Sequence, residues 1–417
     1  VKKTNFVKSS IVLFAGSMIG NASAYFFHLA LGRILSPVEY GLLGALLSIY
    51  MLVSTPLSAI QYTSAKMNAL YGGSLSMTKN IFQVARSYLG WFSGISFLVY
   101  LVISIFLVKY FQLGSYLGVF LLGLCLLFLF QLAWNRGLMQ GLFDFKQLSL
   151  SFAVEGMVKL LFGIAIGYFF IKADYTIFSV TLSLFVAYLL TEYYTKGKFV
   201  NIKASGQPLP FTKKEITKEG LRMLIGTVGV MFFISIDVLM ANRFLSDYDA
   251  GFYTALSTLG KIVYFAPYSV AMALFPFTAQ NADQSAKLKL TRKAYLIIIL
   301  IISLALIFYF LFPNLIFSIL FGTRYADPGV LLGLIGLAVG IIGIVQLLIN
   351  YLLSQSGWYY ALALIGSAII QVALYTNYHA NIYQFVNATF ASAVCMLLFT
   401  SIAFVMQNNQ TKIGQKN

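Results

Sequence analysis

Apolar residues run in stretches of about twenty from one end of the chain to the other, separated by short polar or basic segments. Twelve such stretches can be read, at approximately 8–32, 38–64, 80–109, 116–139, 148–171, 175–195, 218–243, 249–279, 290–313, 328–354, 358–377 and 383–406. A helix rises about 1.5 Å per residue, so stretches of this length match the roughly 30 Å hydrocarbon core of a bilayer. The clearest is YLIIILIISLALIFYFLF, residues 295–312. The second, third, eighth and tenth stretches are long, contain polar positions, and must tilt or project beyond the hydrocarbon. The pattern predicts an all-α polytopic membrane protein with about 12 transmembrane helices.

The pattern also repeats at long range. LGRILSPVEYGLLGAL (31–46) returns 210 positions later as ANRFLSDYDAGFYTAL. Arg33 meets Arg243, Leu35 meets Leu245, Ser36 meets Ser246, Gly41 meets Gly251, Ala45 meets Ala255, and Glu39 faces Asp249. Gly16 and Gly226 coincide in the preceding apolar stretches. A repeat of half the chain predicts two pseudo-symmetric six-helix bundles, with a substrate path between the repeats as in secondary transporters. The expected division is an N-terminal lobe at 1–195, an inter-lobe linker at 196–217 and a C-terminal lobe at 218–417. Gly206, Pro208 and Pro210 suit the linker to joining lobes that move.

Composition agrees. With a mean hydropathy of +0.85 and 10% charged residues, too little polar surface is available to cover a water-soluble globule of this size. The net charge of +16 raises nucleic acid as a partner, but the basic residues form no single stripe. They alternate between sides: 21 Lys and Arg fall between spans or near their ends on one side and 5 on the other, with Lys159 and Lys261 remaining inside spans. Positive charge accumulates on the cytoplasmic side, so both termini are expected there, and six helices per half make the repeats parallel. Lys2 and Lys3 before an apolar run, with Ala22-Ser23-Ala24 beyond it, resemble a secretory signal. The repeat argues against cleavage, which would remove one helix from only one bundle. Cys125 and Cys395 lie inside apolar spans, and His28 and His379 are far apart in sequence, so neither a redox motif nor a metal cluster is read.

The repeated motif has a local explanation. Ser36 is placed as an N-cap, Pro37 as the first helical residue and Glu39 as the N3 partner of a capping box, which predicts a tight outer hairpin. Arg33 and Arg243 then sit near helix C-termini, where a cation suits the macrodipole. Anchoring is the favoured role for both, with substrate contact the alternative.

Three stretches carry a family resemblance: FISIDVLMANRFLSDYDAGFYTAL (233–256), NRGLMQGLFDFKQLSLSFAVEGMVKLLFG (135–163) and LFGTRYADPGVLLGLIGLAVGIIGIVQLLINYLLSQSG (320–357). In order and spacing the chain resembles the polysaccharide transporters, the O-antigen-flippase-like exporters of the multidrug/oligosaccharidyl-lipid/polysaccharide (MOP) flippase superfamily. The resemblance implies a MATE-like fold and, as function, alternating-access flipping of a polyprenyl-diphosphate-linked oligosaccharide toward the outer leaflet for O-antigen, capsule or similar polysaccharide synthesis. It implies a cytoplasmic (inner) membrane location and no cofactor, with coupling to protons, sodium or membrane potential. Implied partners are the lipid-linked glycan, membrane lipids, a polysaccharide polymerase and glycosyltransferases, without nucleic acid. About twelve spans, without an extra C-terminal pair, depart from the lipid II flippase branch. A multidrug or small-cation antiporter is the alternative. A membrane glycosyltransferase or polymerase is third, because it would need a substantial outer loop carrying acid/base residues.

Intramembrane polar residues give candidate positions, since a charge in lipid costs about 2.5–3.5 kcal/mol on insertion scales and turns toward protein or water. Ser17, Asn21 and His28 share a face of the first span, and Gln346, Asn350 and Ser354 form a stripe on the tenth. Helix packing and cavity lining explain both stripes equally well. Lys159 and Lys261 lie near the middle of the fifth and eighth spans. Glu155, one turn before Lys159, offers an i, i+4 partner, whereas Lys261 has no acid within a turn, which favours an anion or a distant partner. Arg136 is expected to reach the cytoplasmic surface rather than substrate. Asp237 is the one acid inside the apolar part of the seventh span, roughly 9 Å from its outer end. It is a candidate ion site, a partner for a base on another helix, or a gate support. The first span carries His28 where drug-exporting relatives often carry a coupling acid. The expected substrate-binding set is Lys261, Lys159, Asn21, His28, Arg33 and Arg136; the expected coupling or gating set is Asp237 and Glu155.

Overall fold

The computed structural model describes residues 6–71, 75–203, 213–280, 284–325, 327–353 and 358–414. The chain divides into two compact units, Val1–Leu224 and Ile225–Asn417. In the first unit α1 (Phe6–Ile34) is followed by a span broken into α2 (Pro37–Ser54) and α3 (Pro56–Tyr71), then by α4 (Leu75–Phe111). The fourth span is likewise two pieces, α5 (Tyr116–Gly123) and α6 (Leu126–Gly141). After α7 (Phe145–Phe170), the short α8 (Ala173–Thr176) runs into α9 (Phe178–Lys198). In sequence order there follow α10 (Lys213–Phe244), α11 (Asp247–Gln280), α12 (Gln284–Leu311), α13 (Pro313–Phe321), α14 (Gly329–Leu353), α15 (Tyr359–Asn377) and α16 (Ile382–Gly414).

Each of the twelve apolar stretches falls on one of these helices or helix pairs. Among the described residues, nine helices are long and apolar enough to cross a bilayer, or ten if α12 and α13 count as one broken span. The first and eighth stretches are carried by α1 and α11. The breaks have local causes. Pro56 has no N–H to give to Leu52, so the helical bonding of the second span is interrupted there. Just before the break, the Thr55 hydroxyl donates to the Met51 carbonyl at 2.7 Å. The linker expected around Gly206, Pro208 and Pro210 lies outside the described residues.

α13 departs from the sequence pattern, which is apolar from Tyr295 to Phe321 apart from Ser303, Pro313, Asn314 and Ser318 and marks a change of direction only by Pro313-Asn314. The chain bends by 90° between α12 and α13. Pro313 opens α13, where its missing N–H is one of the orphan donors in any case. Phe317 and Phe321 then turn inward with Tyr325 against Phe252, while Leu315 and Ile319 point outward.

The internal repeat is visible in how helices pack within each unit. α3 packs on α6 as α11 packs on α14, and α4 on α6 as α12 on α14. α6 meets α9 as α14 meets α16, and α7 meets α9 as α15 meets α16. α1 packs along α7; in the second unit Gly229 of α10 lies against Leu364 of α15, and Phe233 of α10 accepts from Gln371. The α1–α7 contact is close because small residues face each other. A Cβ on Gly156 would lie 2.7 Å from the Gly20 Cα, and one on Gly20 would lie 2.9 Å from the Phe152 carbonyl oxygen. Without a hydrophobic force between helices in lipid, such close van der Waals packing is a main source of association.

α6 and α14 supply the core of their units: Leu129, Leu132 and Leu138 in one, Leu332, Ile335 and Val345 in the other, are buried. The outer faces carry large apolar side chains, among them Trp91 at 77% and Phe106 at 69% exposure on α4, and Leu300 on α12. Contiguous apolar exposure on this scale is what a lipid-solvated surface looks like. The chain is a multi-pass membrane protein.

The expected hairpin cap is present. Ser36 Oγ accepts from the Glu39 amide at 3.2 Å, and its repeat partner Ser246 accepts from the Asp249 amide at the same distance. The second half of the capping box differs in the first unit. The Glu39 carboxylate instead accepts from Lys172 Nζ at 2.7 Å and from the Ala173 amide at 2.8 Å, fastening the start of α2 to the start of α8. The carboxylate beside Lys172 raises its ammonium above the ordinary lysine range, through hydrogen bonding first and charge second.

Candidate functional site

Among the described residues, the charged intramembrane candidates fall in two clusters of charged and polar side chains, one in each unit; a further cluster in the first unit joins Glu192 to Arg86, Asn135 and Lys196. The second unit's cluster is centred on Asp237 of α10, which is 5% exposed. Its Oδ2 accepts from the Ser257 hydroxyl at 2.8 Å and the Tyr253 hydroxyl at 3.2 Å. Its Oδ1 accepts no hydrogen bond and faces Lys261 Nζ at 3.8 Å. Tyr253, Ser257 and Lys261 follow at steps of four on α11, so one stripe of that helix supplies every group on the carboxylate.

The network continues beyond the acid. Tyr253 and Tyr375 both place their hydroxyls on Thr389 Oγ1, at 3.0 and 3.1 Å. Gln371 Nε2 donates to the Phe233 carbonyl at 3.1 Å and to the Tyr375 hydroxyl at 3.4 Å. Phe385 stacks on Tyr375 with ring centres 4.5 Å apart and meets Tyr253 edge-on. α10, α11, α15 and α16 are thus joined around one buried carboxylate, where each satisfied polar bond is strengthened by the low dielectric.

In the first unit the centre is Arg136 of α6, 7% exposed. Its Nη2 donates to Glu155 Oε2 at 2.6 Å and to the Ser151 carbonyl at 3.2 Å, its Nε donates to Ser151 Oγ at 2.8 Å, and its guanidinium lies over the Phe152 ring. The expected reach of Arg136 to the cytoplasmic surface is therefore corrected: its donors are directed inward, to α7. Glu155 serves Arg136 rather than forming a closed pair with Lys159, although it acts electrostatically on Lys159. Lys159 Nζ stands 5.3 Å from the centre of the Phe27 ring, within reach of a cation–π attraction. Arg136, Glu155 and Lys159 sum to one surplus positive charge, whereas Asp237 and Lys261 balance.

The repeat relates the two clusters. At the offset of 210, Phe27 corresponds to Asp237. A lysine therefore stands beside this helix position in both units, over an aromatic ring in the first and beside a carboxylate in the second.

The remaining candidates are placed apart from these centres. Asn21 and Arg33 are exposed on α1. His28 Nδ1 lies 3.2 Å from the Tyr40 hydroxyl, with the two rings edge-on. Gln346 is buried and accepts from Tyr264 at 3.0 Å. The side chains of Ser17, Asn350 and Ser354 lie outside the described residues. Sequence reasoning missed Tyr253, Ser257, Gln371, Tyr375 and Thr389. The four-residue spacing of Tyr253, Ser257 and Lys261 was a usable signal; the contributions of α15 and α16 had none. Among the described residues no group of three or more His, Cys, Asp or Glu could hold a metal ion, and Cys125 and Cys395 are free thiols.

The profile of the family described as "Polysaccharide biosynthesis protein" matches residues 6–282, and the chain belongs to that family. No curated protein matches it significantly in sequence. Its fold is shared over nearly the full length with solved MOP-superfamily structures. An inward-facing multidrug resistance MATE transporter superposes with a TM-score of 0.70 at 13% identity, over 98% of this chain and 99% of that one. The lipid II flippase MurJ, in an inward closed conformation, gives 0.64 at 12% identity, over 98% and 91%. A MOP-superfamily transporter from Pyrococcus furiosus, described by its reversed binding-pocket polarity, gives 0.63 at 14% identity, over 98% and 97%. At these identities the likenesses define the architecture, which is the MATE-like MOP fold expected from the sequence.

Proposed function

We propose that this protein flips a polyprenyl-diphosphate-linked oligosaccharide from the cytoplasmic to the outer leaflet by alternating access, in the assembly of a surface polysaccharide. The observation that carries the reading is the placement of Arg136, Lys159 and Lys261 in charged clusters inside spans of a chain that belongs to a polysaccharide biosynthesis family. A diphosphate carries negative charge that ammonium and guanidinium groups hold well, its polyprenyl tail can stay in lipid, and the glycan needs a polar passage. Lys261 is the headgroup ligand in this reading, with Lys159 the second. Arg136 acts by positioning Glu155 and α7, while Asn21, His28 and Arg33 serve the glycan or the helix ends. Asp237 supplies coupling. The protein resides in the inner membrane with both termini and the inter-lobe linker in the cytoplasm.

The alternative, export of small organic cations, is supported by the likeness to multidrug transporters. It fits less well because Asp237 already faces an internal cation and Glu155 is taken by Arg136. A glycosyltransferase or polymerase role is disfavoured by the short connections at 35–36, 112–115, 171–172, 245–246 and 378–381; the remaining connection on that side holds only α13 and residues 322–328, far less than a catalytic domain.

Depletion in the native host is the test in cells. The reading expects lipid-linked oligosaccharide to accumulate on the cytoplasmic leaflet while surface polysaccharide falls. Normal surface polysaccharide, with lost tolerance to cationic compounds, would favour the antiporter.

A further inference from the structure

The Asp237–Lys261 contact has an unusual division of labour. Oδ2 is fully engaged by two hydroxyls, whereas Oδ1 is buried, accepts no hydrogen bond and has only the Lys261 ammonium at 3.8 Å. A fastened ammonium–carboxylate bond measures about 2.7–2.9 Å, so Lys261 here is a counter-ion rather than a hydrogen-bond donor. Its side chain is 16% exposed against 6% for the acid, so the lysine is the less enclosed member of the pair. A small rotation of a four-carbon side chain would remove the cation and leave the anion where it is.

The consequence is electrostatic. A buried carboxylate that loses its counter-ion is strongly unfavourable. The groups facing Asp237 are Lys261, Tyr253 and Ser257 from α11, with Tyr375 from α15 acting through space and Thr389 from α16 holding both tyrosine hydroxyls. Among the described residues Lys261 is the only cation in that set. Neither tyrosine can replace its charge, and Oδ1 is the open position at which a proton can bind.

We infer that Asp237 and Lys261 form an exchange site, in which an anionic headgroup draws Lys261 away and Asp237 takes up one proton in its place, so that diphosphate binding and proton binding are coupled within one helix stripe. The carboxylate plus H⁺ becomes a carboxylic acid whose new O–H sits on Oδ1, and no other bond changes. Release of the headgroup reverses both events, since the returning ammonium expels the proton. The first unit shows the contrast: Glu155 is held by Arg136, so Lys159 can meet an anion without stranding an acid. The inference rests on the headgroup reading proposed above.

The experiment uses the full-length protein in lipid nanodiscs, with farnesyl diphosphate as probe and farnesol as neutral control. Proton uptake is followed with an indicator dye in weakly buffered solution, and carboxyl protonation by infrared difference spectroscopy. The expected result is uptake of about one proton per diphosphate bound beyond that of an Asp237→Asn variant, with affinity falling about tenfold more per pH unit than in the variant. A carboxylic-acid C=O band should appear on binding. Should Asp237→Asn fail to fold, Lys261→Met serves instead, and should show the acid band before any ligand is added. Diphosphate binding without the band, or with the proton count of Asp237→Asn, would overturn the exchange while leaving the headgroup reading intact. Failure of the wild type to prefer farnesyl diphosphate over farnesol would remove the headgroup reading and the exchange with it.

Discussion

Lys261 Nζ and Asp237 Oδ1 lie 3.8 Å apart across α10 and α11, so the one acid within the apolar part of the seventh span is the counter-ion of the lysine within the eighth. Neither charge is a lone ligand waiting for substrate. Lys261→Met should destabilise the second unit by about 1–3 kcal/mol, less than a fully buried pair because Asp237 keeps Ser257 and Tyr253. Asp237→Asn combined with Lys261→Met should recover part of that loss. Thermal unfolding of the four proteins in one detergent gives the coupling; additive losses would show that the pair does not interact.

Asp237→Asn alone keeps the side-chain shape and removes its charge, so the protein should insert and fold but transport poorly. Activity of the variant across the pH and sodium range checks this. Normal transport throughout would leave Asp237 with neither a coupling nor a gating role.

Arg136 has a different standing, because its donors are already taken by Ser151 and Glu155. Arg136→Gln strands Glu155 and should lower stability by about 3–5 kcal/mol, which for a membrane protein reads as lost accumulation. Arg136→Lys keeps the charge but not the planar fork, and should fall between. Equal accumulation of all three proteins would contradict the inward-facing role.

The α1–α7 contact offers a steric test. Gly156→Val places a side chain where a Cβ alone would lie 2.7 Å from the Gly20 Cα, and should cost about 1–3 kcal/mol or prevent folding. Gly90→Ala on α4 meets nothing within 4 Å and should be neutral or stabilising by up to about 1 kcal/mol. Detergent unfolding of the two variants separates these expectations.

Much of the fold was written in the apolar pattern because lipid imposes it: every spanning segment must satisfy its own backbone and show about twenty apolar residues. The hairpin motif was equally direct, since a Ser-Pro-x-Glu cap is a local interaction. α13 was hidden because a 90° bend at Pro313 leaves the run of apolar residues almost unbroken. The clusters were half legible. Lys261, Asp237 and Arg136 stood out as charges in apolar surroundings, but their partners depend on which helix faces which. The sequence neighbour Glu155 suggested Lys159, and packing of α6 on α7 gave it to Arg136 instead. Tyr375 and Thr389 meet at Asp237's network only through the packing of α15 and α16.

Translocation in reconstituted vesicles tests the central claim most directly. With a fluorescent polyprenyl-diphosphate-linked oligosaccharide in both leaflets, the account predicts that wild-type protein makes the inner-leaflet pool accessible to an external glycosidase. Lys261→Gln should slow this by about tenfold or more, and Lys261→Arg by less because the charge survives. Vesicles containing folded wild-type protein that protect the inner pool as well as protein-free vesicles do would contradict it.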